Sequence, residues 1–184
     1  MSWGLRVNKQ IRPDILAKFF VFLFFLNFAI LLIFAPFFLP TATVKDISGR
    51  VGVIDNEKTF SKFPFPWNYI YLFGDLWCHQ KTERSIILNG NQSPLCARCL
   101  GIFVGLAIGS YISIFFTFSV SKEIYKKILI ILIFFTPMLI DGLGQAFELW
   151  HSTNIIRIFT GMLSGFAYSI LIGTAIDVVY FTIK

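Results

Sequence analysis

The sequence predicts an all-α integral membrane protein, a bundle of four transmembrane helices with a small extracytoplasmic cap. Three observations predict it. The chain is 56% hydrophobic, and its mean hydropathy of +0.73 lies well above that of an ordinary soluble domain. Its apolar residues gather into four long runs, 18–40, 99–120, 126–150 and 155–182. Each reaches the roughly 20 residues that cross a hydrocarbon core of about 30 Å. The basic residues, finally, cluster at alternate ends of those runs.

The first run could be the apolar core of a secretory signal, because Arg6, Lys9, Arg12 and Lys18 precede it. Its length and the lack of an Ala-x-Ala site favour an anchor that is also the first bundle helix. Its many Phe residues are expected to face lipid, and no buried charge is expected there. Residues 41–98 form the cap. Within it, Ser48-Gly49 and Asp55-Asn56 are turn signals flanking Val51-Gly52-Val53-Ile54, which predicts a short strand or hairpin. After Phe63-Pro64-Phe65-Pro66, the aromatic stretch Trp67 to Trp77 suits the membrane interface or the top of the bundle.

In the second span Gly101, Gly105 and Gly109 recur every fourth residue, and Gly161 and Gly165 flank Ser164 in the fourth. This small-xxx-small pattern predicts close contact between the two helices. Pro137 should bend the third. Asp177 is expected near water at the inner end of the fourth, with no chemical role.

Orientation follows from Lys and Arg near the helix ends. Arg6, Lys9, Arg12 and Lys18 precede the first span, Lys122, Lys126 and Lys127 join the second to the third, and Lys184 ends the chain. With four alternating helices all of these fall on one side, which should be the cytoplasmic one. The expectation is a multi-pass protein of the cytoplasmic membrane with both termini inside, residues 1–17 cytoplasmic and the 151–154 turn outside. The net charge of +6 is then a matter of topology. No basic stripe points to nucleic acid, the expected partner is the lipid bilayer, and nothing specifies an oligomeric state.

The chemistry-bearing residues concentrate just before the second span. Cys78-His79 is followed by Cys96-Ala97-Arg98-Cys99. Cys-x-x-Cys lets two thiolates reach one tetrahedral ion from a turn, and Cys78 can add a third, with His79 or water as the fourth ligand. Zinc is the obvious ion. Adjacent residues seldom both bind one metal, so His79 is equally a candidate for chemistry on a substrate. Thiol–disulfide exchange coupled to a quinone is an alternative use of the same cysteines, and a structural disulfide with one spare thiol is another.

In the third span Asp141, Gln145 and Glu148 are spaced to share one helical face. A carboxylate in a bilayer needs a partner or a wet cavity. Arg98 and Arg157 are the cations at hand, so one reading is structural pairing of Arg98 with Asp141 or of Arg157 with Glu148. The other is a pocket beneath the cysteine loop, in which Arg84, Arg98 and Arg157 bind a phosphate or carboxylate and Asp141 or Glu148 is a general base.

The string Cys78-His79-Gln80, Arg84-Ser85, Gln92, Cys96-Ala97-Arg98-Cys99-x-Gly101, Asp141-Gly142-x-x-Gln145, Asn154-x-x-Arg157 and Thr160-Gly161 resembles a family of small predicted membrane proteins of bacteria and archaea that has no established activity. The resemblance covers residues 77–165 and leaves out 41–65. It implies that these positions form one site, which places Gln80, Gln92, Gln145 and Asn154 beside the three arginines as ligand-binding residues. It implies nothing about substrate. Three functions therefore stand: a zinc-dependent enzyme acting on a lipid or lipid-linked substrate, a membrane thiol oxidoreductase, and a non-enzymatic lipid-binding or assembly subunit.

Overall fold

Helix α1 (Pro13–Phe34) starts on a proline, whose missing N–H costs nothing in a first turn. Asp14 sits at the positive end of the helix dipole and pairs with Arg12 at 2.7 Å. The computed structural model describes residues 12–117 and 124–183, so Arg6, Lys9, Lys122 and Lys184, on which part of the orientation argument rests, lie outside the described residues. α1 begins five residues before the expected span, which brings Lys18 inside the helix. The Lys18 side chain is only 1% exposed, with Nζ 2.7 Å from Asp177 and donating to the Phe116 carbonyl at 2.8 Å. Two expectations are corrected here: α1 does carry buried charge, and Asp177 is buried rather than in water. Each ion supplies the counter-charge that makes the other tolerable between apolar helices.

Helices α4 (Ala97–Ile114) and α6 (Asn154–Ile183) form the centre of the bundle. α1 packs on α4, and α5 (Ile124–Ala146, with Pro137 inside) packs on α6. All four are long and apolar enough to cross a membrane. α6 agrees with its predicted span to within one residue at each end, whereas α4 stops at Ile114 and α5 at Ala146, short of the expected ends.

The glycine stripes meet as expected, and the contact is reciprocal. A Cβ on Gly101 or Gly105 would lie 2.3 or 2.1 Å from the carbonyl oxygens of Ile158 and Met162. One on Gly161 or Gly165 would lie 2.2 or 2.1 Å from those of Arg98 and Ile102. No side chain fits, so the backbones themselves form the interface. Gly161→Ala is expected to destabilise the bundle by about 1–3 kcal/mol through overpacking. Gly142→Ala is the control, since its Cβ would rest 3.7 Å from Arg98 Nη1. Thermal unfolding in detergent should separate the two.

Between α1 and α4 the chain builds a cap on one end of the bundle. It contains the single turn α2 (Glu57–Phe60), the aromatic helix α3 (Trp67–Trp77), a 3-10 turn at Thr82–Arg84, and the antiparallel strands β1 (Ser85–Leu88) and β2 (Asn91–Cys96). The hairpin turns through Asn89 and Gly90, both at positive φ (52° and 70°), as a two-residue Asn-Gly connection favours. Leu88 faces Asn91 and Ser85 faces Cys96, with an irregularity between Ser85 and Ile87.

The expected strand at 51–54 is absent. Val51, Val53 and Ile54 are exposed, Gly52 takes φ +86°, and the segment bends so that the Gly52 N–H meets the Leu76 carbonyl at 2.8 Å. The cap core is Val44, Ile47, Phe60, Tyr71 and Leu95, packed on Leu32 of α1 and Leu100 of α4. Tyr71 donates to the Gln92 carbonyl at 2.8 Å, and burial pushes its phenol above the ordinary range.

Candidate functional site

Three elements each deliver one cysteine. α3 ends at Cys78, which drops to an extended backbone (φ −141°, ψ 146°). Cys96 ends β2 and is the N-cap of α4. Cys99 lies one turn into that helix. The three sulfurs lie within 4.8 Å of one another, and among the described residues this is the cluster that could hold a metal ion. No disulfide joins them. Backbone amides already point at the group, with Cys96 N–H 3.3 Å and Gln80 N–H 3.5 Å from Cys78 Sγ.

Electrostatics divide the thiols. Cys96 is held well below the usual thiol range, chiefly by hydrogen bonds from Cys78 and Cys99, with help from backbone N–H groups in the first turn of α4. Cys78 is pushed up to about 11 by its hydrogen bond to Cys96 and by burial. Negative charge therefore concentrates on Cys96 at the positive end of α4. Three sulfur donors at this spacing suit a tetrahedral ion, whose bonds of about 2.3 Å set neighbouring sulfurs roughly 3.8 Å apart.

His79 is not in the cluster. Consecutive side chains on extended backbone point in opposite directions, so while the Cys78 thiol turns inward the His79 ring is exposed, with Nδ1 3.4 Å from the Gly49 carbonyl. This removes His79 from the expected ligand set. It does line a cavity of about 190 Å³ beside the sulfurs, together with Val51, Trp77, Cys78, Cys96, Cys99, Lys81, Arg84, Arg98 and Arg157. Among the described residues, no carboxylate lines this cavity.

The polar residues of α5 and α6 form a chain behind that wall. Arg98 pairs with Asp141. Gln145 donates to the Asp141 carboxylate at 3.0 Å and accepts from Arg157 Nη2 at 2.9 Å. Arg157 Nη1 reaches Asn154 Oδ1 at 2.9 Å and the Glu83 carbonyl at 3.2 Å. Asn154 donates to the Ser85 carbonyl at 3.0 Å. One network thus ties α4, α5 and α6 to the hairpin and fixes where two guanidinium groups point. Asp141 enters it through Oδ2, and Asp141 is not among the residues lining the cavity.

Glu148 falls outside this network. The helical stripe breaks because α5 ends at Ala146, where Leu149 N–H bonds the Gly144 carbonyl at 2.8 Å and Glu148 N–H bonds that of Gln145 at 3.3 Å. This is a Schellman termination with Glu148 in the left-handed position, φ +57°. A glutamate there gives no sequence signal of a helix end, and its side chain is exposed. The expected Arg157–Glu148 pairing is not formed, and Gln145 takes the arginine instead.

Gln80 and Gln92 are also placed differently from expectation. Both are fully buried and brace the cap: Gln80 donates to the Pro94 carbonyl at 2.7 Å, and Gln92 donates to the Gln80 carbonyl and to Ser85 Oγ. They shape the loop that carries the cysteines, and neither lines the cavity. Lys81, Val51 and Trp77 are the lining residues that sequence reasoning left out of the site; for Lys81, its place in the Cys78–Cys99 loop was the available signal.

Residues 78–179 match the family described as "Predicted membrane protein (DUF2085)", and the chain belongs to it. The matched stretch begins at Cys78 and includes every cysteine and each of the cavity's arginines. Among curated proteins, "Uncharacterized protein MJ1492" of Methanocaldococcus jannaschii is 34% identical over 108 residues, 54% of this chain and 66% of the relative. An "Uncharacterized protein" of Methanothermobacter thermautotrophicus is 30% identical over 95 residues, 51% of this chain and 82% of the relative. The chain thus spans just under two thirds of the first relative's length. No solved structure matches.

Proposed function

We propose that this protein holds a zinc ion on Cys78, Cys96 and Cys99 and uses the centre for chemistry on the polar group of a lipid or lipid-linked substrate. The observation that carries the reading is the placement of three sulfurs within 4.8 Å of one another on the wall of an open cavity. Three protein ligands and one open position is the pattern of catalytic zinc, whereas structural sites close all four. In this reading the protein lies in the cytoplasmic membrane with both termini inside, and the cap and its cavity face outward at the level of the lipid headgroups.

The ion would supply electrophilic polarisation of a bound oxygen, damped by three thiolates. The chain's own residues do the remainder. The cations around the cavity offset the thiolate charge, and the exposed His79 ring, which lines the cavity, is the group placed to pass a proton to or from the substrate. Asp141, engaged by Arg98 and Gln145, positions Arg98 and is not the base.

Cobalt substitution tests the centre. Stripped protein titrated with Co²⁺ should develop intense thiolate-to-metal bands. Because Cys78 is pushed up to about 11, it is protonated at neutral pH and must lose that proton to bind. Affinity should therefore rise with pH, by about tenfold per unit for each proton released. Absence of thiolate bands, together with formation of a disulfide under mild oxidation, would favour the thiol oxidoreductase instead.

A further inference from the structure

The arginines around the cavity have donors that the fold does not use. The Nε atoms of Arg84, Arg98 and Arg157 are all buried and, among the described residues, lack a hydrogen-bond partner. Arg157 as a whole is 8% exposed. Its two Nη atoms are fixed by Gln145, Asn154 and the Glu83 carbonyl, and Arg98 is fixed by Asp141, so these guanidinium groups are already ordered. The Arg84 side chain lies 3.6 Å from the Glu83 carboxylate. Lys81 completes the cationic lining. Two helix N-termini add to it, since Arg98 and Arg157 lie in the first turns of α4 and α6. Four cationic side chains on the wall of one small cavity repel one another, and a ligand bearing several acceptor oxygens would neutralise them together.

We infer that this cavity binds a phosphate group on Arg84, Arg98 and Arg157. The inference rests on the reading of the cavity as the ligand site and names the group it takes. A tetrahedral oxyanion presents acceptors in several directions and suits a cavity lined by several arginines. A space of about 190 Å³ has room for one phosphate group. The phosphate could be a lipid headgroup or free in solution, and the chemistry of recognition is the same.

The test is calorimetric titration of inorganic phosphate into the full-length protein in phosphate-free detergent, with metal content measured on the same sample. Saturable binding is expected, weakened about tenfold or more by Arg84→Gln. Among the described residues the Arg84 side chain makes no hydrogen bond, only the approach to Glu83, so this variant should fold. Arg157→Gln should weaken binding further. Competition by nanodiscs containing phosphatidic acid, but not by discs of phosphatidylcholine alone, would identify a lipid source, and lack of competition a soluble one. No saturable phosphate binding, or binding unchanged in Arg84→Gln, would overturn the inference. Phosphate binding by protein that carries no metal would uphold it and defeat the zinc reading.

Discussion

Cys96→Ser is expected to abolish stoichiometric metal binding and lower affinity by more than about a hundredfold, since even losses around a metal's outer ligands cost 10–100-fold. The effect should exceed that of His79→Ala, whose ring lies outside the sulfur cluster. Cys96 is the N-cap of α4, where the helix N-terminus favours a thiolate, and its thiol is held below the usual range. Elemental analysis of the two variants after identical purification distinguishes them. If His79→Ala lost the ion as completely as Cys96→Ser, the ligand set derived from the backbone at Cys78 would be wrong.

The second large effect lies at the opposite end of the bundle. Asp177→Leu removes the carboxylate 2.7 Å from the buried Lys18 ammonium, and should cost about 3–5 kcal/mol of stability. The double variant Lys18→Met/Asp177→Leu should recover most of that loss, because it removes both desolvated charges at once. Unfolding in detergent across the four-protein cycle measures the coupling. Additive losses would mean that the 2.7 Å pair is not an energetic unit.

What the sequence made legible was whatever depends on local pattern. Apolar runs located the four helices, and the glycine spacing located the α4–α6 contact, because both are periodic properties of one segment. The cysteines and arginines stood out because apolar helices have no other need of them. What it hid depends on partners far along the chain. Lys18 reads as the flank of an apolar run until Asp177, 159 positions later, is known to face it. Residues 51–54 have strand-forming composition but meet no neighbouring strand, whereas the less conspicuous Ser85–Leu88 pairs through an Asn-Gly turn.

Glu148 shows a further limit. The helical pattern continues past Ala146, and only the backbone hydrogen bonds of the termination remove the glutamate from the face of Asp141 and Gln145. Gln80 and Gln92 belong with the site in sequence yet act through the cap. A motif can mark the residues that shape a loop as clearly as those that touch a ligand.

The most direct test of the central claim is metal content per chain, by elemental mass spectrometry, on tag-free protein purified in detergent without chelator. The account predicts about one zinc per chain, lost in Cys96→Ser. Folded protein with no metal and a disulfide among Cys78, Cys96 and Cys99 would contradict it.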